Sequence, residues 1–99
     1  MNTALMKNWS ITNNQSGYTP TELIKYYLNG NIYNDGYGRF EDGFLATTSK
    51  ILEVVDCEDH KVVITKATEY SVYPADVDEE YEKEYPDAFN RLNNKKVII

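Results

Sequence analysis

The sequence predicts a small α+β domain: a curled antiparallel sheet of about four or five strands, with a short N-terminal helix and an acidic C-terminal helix. Two stretches, 45–55 and 62–73, are rich in Val, Ile, Thr and Tyr, the residues that pack best on a pleated surface. Thr19-Pro20-Thr21-Glu22 has the composition of a helix start. Beyond residue 76, apolar side chains recur at helical spacing behind a dense acidic face. With 99 residues the chain makes a single domain, 1–99. Its sheet body covers about 6–75 and its acidic helix about 77–93, and the curl is that of an SH3-like or other small barrel.

Taken in order, Trp9 and Ile11 stand two apart between polar neighbours, the period of a half-buried strand. Residues 13–17 read as loop. In the capping box, Thr19 would accept from the amide of residue 22 while Glu22 reaches back, and Pro20 loses no bond at the first helical position. Leu23, Ile24, Tyr27 and Leu28 then follow at helical spacing, and Asn29-Gly30 ends the helix. Asn31 to Tyr33 begins an edge strand, and residues 34–38 are dense in turn formers. After the Asp42-Gly43 step, a long strand at 45–55 leads through the charged tip 56–60 into a second at 62–73. Lys66-Ala67-Thr68 interrupts the second strand and predicts a bulge or sharp bend. From Asp76 or Asp78 as N-cap, Tyr81, Tyr85, Ala88, Phe89 and Leu92 form one helical stripe, kinked or restarted at Pro86. The terminal run Val97-Ile98-Ile99 is apolar enough to pair with an edge strand.

Charge and composition narrow the function. Asp76, Asp78, Glu79, Glu80, Glu82, Glu84 and Asp87, set against Lys83, account for the whole net charge of −6. The remainder is balanced. A body without basic excess argues against binding duplex nucleic acid, which needs clustered Lys or Arg. No apolar run approaches a membrane span, and Met1 to Ser10 lacks the apolar core of a signal peptide, so the expectation is a cytoplasmic protein. Cys57 and His60 are the only residues of their kinds and sit among acids at a hairpin tip, too few ligand types for a metal site. No nucleophile elbow, phosphate loop or paired-histidine motif is present, and the expectation is a protein that is not an enzyme and uses no cofactor.

Gly30-Asn31-Ile32-Tyr33, Arg39-Phe40-Glu41-Asp42-Gly43, Thr47-Thr48-Ser49-Lys50-Ile51 and the strand from Thr65 to Tyr73 follow a pattern G-x-(V/I)-Y, R-F-x-D-G, T-S-x-I and a Thr/Ser-containing strand ending in Tyr. In this the chain resembles a family of short uncharacterised proteins of phages, prophages and gut bacteria, over about residues 19–81. The resemblance implies no activity. Where that family commonly has Gly-His-Pro before R-F, this chain has Asn34-Asp35-Gly36-Tyr37-Gly38, so no histidine role carries over.

The densest anion-capable set is Arg39 with Thr47, Thr48 and Ser49: a guanidinium fork, hydroxyls and backbone amides that suit a phosphate. Tyr33, Tyr37, Phe40 and Trp9 would supply a stacking face for a base. Together they predict capture of a small nucleotide-like signalling molecule by a counter-defence protein of phage or mobile-element type, as a homo-oligomer that completes the pocket. The same residues also read as plain structure, with Arg39 paired to Asp42 or Glu41, the hydroxyls as ordinary strand residues and the rings in the core. An alternative function is an acidic inhibitor whose Glu79, Glu80, Glu82 and Glu84 block a basic, nucleic-acid-binding groove of a defence protein.

Overall fold

The computed structural model describes residues 1–93. Its strands are β1 (Asn2–Asn13), β2 (Tyr26–Tyr33), β3 (Phe44–Lys50), β4 (Glu53–Asp56), β5 (Lys61–Ile64) and β6 (Thr68–Val72). They form one mixed six-stranded sheet in the order β3-β2-β1-β6-β5-β4. The β1–β6 pair is parallel and the others antiparallel, so the fully antiparallel sheet of fewer strands is corrected. Two short helices follow, α1 (Glu79–Glu84) and α2 (Ala88–Arg91). No helix of the described residues is long and apolar enough to cross a membrane.

β1 lies at the centre, and its pattern changes phase. Ala4 and Met6 are buried, then Trp9 and Ile11, which a strict two-residue alternation would turn to opposite faces. Asn8, at φ 51°, resets the phase, and the β1–β2 register shifts between Lys7 and Ser10. The bulge brings both halves of β1 onto one core.

β3 and β4 occupy opposite edges of the sheet, yet only Ile51 and Leu52 separate them. A flat sheet of this strand number would hold its edges about 24 Å apart at about 4.8 Å per strand, whereas a two-residue link reaches at most about 11 Å. The sheet therefore curls until its edges meet at this corner. There the Ile51 N–H donates to the Tyr26 carbonyl at 2.8 Å and the next amide, Leu52 N–H, donates to the Ile64 carbonyl at 2.8 Å. No ladder joins β3 to β4 among the described residues, so the curled sheet is not closed. The long strand expected over 45–55 is thus one stretch bent at Ile51–Leu52, whose halves pair with β2 and β5. The second expected strand is a hairpin: Thr65 N–H donates to the Thr68 carbonyl at 3.0 Å, and the predicted bend is a full reversal.

The N-terminal helix is corrected to a single 3-10 turn, Thr21–Leu23. The Thr19 hydroxyl turns backwards and accepts the Ser16 N–H at 3.0 Å. The Asn14 side chain accepts the Lys25 N–H at 2.7 Å and holds the chain extended into β2. Tyr27, Leu28 and Gly30 then lie in a strand paired on both sides, a tertiary gain that two isolated helical turns do not match. β2 is also not an edge strand.

In place of one acidic helix over 77–93 stand two short helices, α1 and α2, with Pro86 and Asp87, the latter at φ 66°, between them. Asp78 is the N-cap, accepting the Tyr81 N–H at 3.0 Å. The segment packs across the sheet on fully buried Trp9, whose ring centroid lies 6.4 Å from those of both Tyr81 and Phe89. Trp9 also donates Nε1–H to the Tyr73 carbonyl at 2.8 Å. Buried Lys61 donates to the Phe89 and Leu92 carbonyls, each at 2.6 Å, a cation where the helix C-terminus favours one. Burial, with the Tyr85 phenol nearby, pushes the Tyr81 hydroxyl up to about 12. Val97-Ile98-Ile99, with Lys95 and Lys96, lies outside the described residues.

Gly30 is required by space. A Cβ there would stand 2.7 Å from the Lys7 carbonyl oxygen and 2.9 Å from the Met6 side chain, beside the β1 bulge. Gly30→Ala is expected to cost about 1–3 kcal/mol in urea unfolding, as overpacking against backbone does. A variant as stable as the parent would contradict this account of the bulge.

A hollow along the free edge of the third strand

The loop from β2 to β3 is built on three left-handed residues, Asn34 at φ 55°, Gly38 at 66° and Gly43 at 91°. Asp42 does not pair with Arg39; its Oδ1 accepts the Asn34 N–H at 2.8 Å and closes the loop on itself. The partner of Arg39 is Asp35. Arg39 N–H donates to Asp35 Oδ2 at 2.8 Å, and the guanidinium meets the two carboxylate oxygens at 3.4 Å each. Arg39 Nη2 also donates to Thr68 Oγ1 at 3.0 Å. Asn2, at the start of β1, donates its side-chain amide to both Asp35 and Thr68. One polar network thus fastens the loop to β1 and β6.

Within the pair the carboxylate is sealed and the guanidinium is not: 1% of the Asp35 side chain is exposed against 41% of Arg39. Burial alone would raise the Asp35 carboxyl, but hydrogen bonds from Asn2 and Arg39 outweigh it and hold it below its ordinary value. The hydrogen bond to Asp35 raises Arg39 in turn. The exposed part of the guanidinium lies 5.4 Å from the Tyr37 ring centroid and 5.3 Å from that of Phe40, which itself stacks on Phe44 at 5.0 Å.

Beside this row opens a hollow of about 240 Å³. One wall is Arg39 and Phe40; a second is Ala46, Thr47, Thr48 and Ser49 of β3; the third is Thr65, Ala67 and Thr68 of the β5–β6 turn. Ile32 and Tyr70 complete the lining. Four predicted residues, Arg39, Thr47, Thr48 and Ser49, come together here. They are not equally available. The Thr48 hydroxyl accepts the Leu28 N–H at 3.1 Å and donates to the Ser49 carbonyl at 2.8 Å, bridging the irregular β2–β3 register. Thr47 accepts from the Asn29 side chain at 3.2 Å but remains exposed, as does Ser49.

Tyr33 is corrected. It does not line the hollow; it alternates with inward-facing Ile32 and its ring meets Lys7, whose Nζ is 5.3 Å from the centroid. Trp9 is likewise in the core and offers no stacking face, whereas Tyr37 is exposed beside Arg39. Asp35 was legible as an acid four residues before Arg39. Asn2 reaches the region through sheet pairing and no local motif marks it; Thr65, Thr68 and Tyr70 lie in the 65–73 stretch read as a strand, with nothing local to place them beside Arg39.

On the acidic face, Glu79, Glu80 and Glu84 are exposed. Glu82 is half-exposed and accepts the Asp87 N–H at 2.6 Å and the Ala88 N–H at 3.3 Å at the start of α2. His60 bonds Asp59 at 2.7 Å and stacks on Tyr73. No protein-family model matches the chain, and neither a curated protein nor a solved structure matches it. Chemically, the hollow offers a charge-balanced guanidinium, two exposed hydroxyls, an aromatic wall and the unpaired side of β3.

Because the Asp35 carboxyl is held below its ordinary 3.8, its contribution to stability is present above that pH and is lost as pH falls through the lower folded-state value. Thermal unfolding followed from about pH 6 to about pH 2.5 should therefore show Asp35→Asn less stable than the parent at the upper end and a smaller loss on acidification. Parallel curves for the two proteins would contradict a buried, ionised Asp35.

Proposed function

We propose that this chain is a small, non-catalytic binding protein of phage or mobile-element type that sequesters a nucleotide-like signalling molecule of a host defence system, in the host cytoplasm. The observation that carries the reading is the convergence of Arg39, Thr47 and Ser49 on one hollow with Phe40 as an aromatic wall. A phosphate or ribose would meet the guanidinium and hydroxyls, and a base would lie on the Phe40 face, where stacking contributes about 1–3 kcal/mol. The hollow's volume is below the roughly 300–1,000 Å³ that enclose a drug-sized ligand, so it takes one end of the molecule and leaves the rest outside. The half-open curl is read as an SH3-like barrel with its ligand at the open seam. The phage-type setting rests on the R-F-x-D-G and T-S-x-I resemblance. The acidic-inhibitor alternative is supported by exposed Glu79, Glu80 and Glu84; it predicts partner binding that weakens with salt and with their replacement by Gln.

Isothermal calorimetry against linear and cyclic nucleotides tests the reading. At least one is expected to bind with a dissociation constant near or below about 1 μM, or about −8 kcal/mol. Thr47→Val and Ser49→Ala should each weaken that binding by about fivefold, the worth of one hydrogen bond. Absence of binding across the panel would overturn it.

A further inference from the structure

Among the described residues the curled sheet has two edge strands, β3 and β4, each with a ladder on one side. β3 is exposed on both faces, with Phe44 50% and Leu45 66% exposed, and Thr47 and Ser49 open to solvent. It holds no proline, and its one charge, Lys50, is at its end. Edge strands that must stay unpaired carry interior charges, prolines or bulges; β3 has neither charge nor proline in its interior, and its one irregularity, between Thr47 and Lys50, leaves the ladder of Phe44 to Thr47 regular. The hollow is lined by the consecutive residues Ala46, Thr47, Thr48 and Ser49, so this strand forms one of its walls.

We propose that two copies of the chain associate by antiparallel pairing of their β3 edges, a two-fold dimer that sets the two hollows on either side of the paired strands. Charge selects this edge. Glu41 and Asp42 precede β3 and Lys50 ends it, all exposed. Antiparallel pairing about Ala46 therefore sets each Lys50 beside the acids of the second copy, twice by symmetry. β4 has Glu53 at one end and Asp56 at the other, so pairing it with itself the same way opposes two carboxylates at each end. Leu45 and Phe44 supply the apolar surface that the pairing covers.

Sedimentation equilibrium of the ligand-free protein, from low micromolar to several hundred micromolar, tests the proposal independently of nucleotide binding. A monomer–dimer equilibrium is expected. Leu45→Lys and Lys50→Glu, both at exposed positions and checked for folding by circular dichroism, should each raise the dimer dissociation constant by at least about tenfold, and Glu41→Lys combined with Lys50→Glu should restore it. Three results would overturn the proposal: a parent protein monomeric throughout, a dimer unaffected by both substitutions, or growth into larger species, as head-to-tail pairing of β3 with β4 would give. Failure of every nucleotide to bind would leave the dimer standing, and loss of the dimer would leave the calorimetric result to be judged separately.

Discussion

Two successive peptide amides, those of Ile51 and Leu52, donate to strands on opposite sides of the central pair, one to β2 and one to β5, each next to an edge strand. That geometry is available only if the sheet has curled far enough for its first and last strands to share a corner. The rest of the architecture follows from it. β3 is brought opposite the β5–β6 turn, and the space between them is the hollow. The parallel β1–β6 pair sits at the middle of the curl, where a twelve-residue strand spans both halves and a bulge at Asn8 keeps each half facing inward.

The hollow's rim is held by polar chemistry and its far side by packing. A sealed carboxylate such as Asp35 is tolerable only with several donors, and it has the Asn2 amide, the Arg39 backbone and the Arg39 guanidinium. This holds the guanidinium in one place with its outer surface free, so a ligand would not have to order a long side chain. It also cancels most of the guanidinium's long-range field. Under the proposed function, recognition would depend on hydrogen-bond geometry and ring contact rather than on steering by charge, in a protein whose net charge is negative.

Much of the fold was legible because local chemistry and tertiary structure agree there. Pro86 cannot donate within a helix, and the helix breaks; Asp78 is a good cap, and it caps. The differences have separate causes. At 19–30 the capping box and helical spacing were genuine local signals, but Leu28, Gly30 and Ile32 also alternate, and pairing on both sides outweighed a two-turn helix. The strand at 45–55 was readable as extended but not as bent, because nothing in Ile51-Leu52 announces a change of partner. For the site, Arg39 and the 47–49 hydroxyls were grouped by chemistry, and the curl does bring them together. Tyr33 lies outside the hollow by parity, one residue from an inward-facing neighbour, and the Trp9 ring is taken up in the core.

The corner at Ile51–Leu52 is the account's central claim, and amide hydrogen exchange followed by NMR addresses it residue by residue. The account predicts that the Ile51 and Leu52 amides are both protected to the same order as those of central β1, with through-hydrogen-bond couplings to the Tyr26 and Ile64 carbonyls. Free exchange at both positions, or a coupling from only one of them, would mean that the edges do not meet and that the hollow between β3 and the β5–β6 turn does not exist in solution.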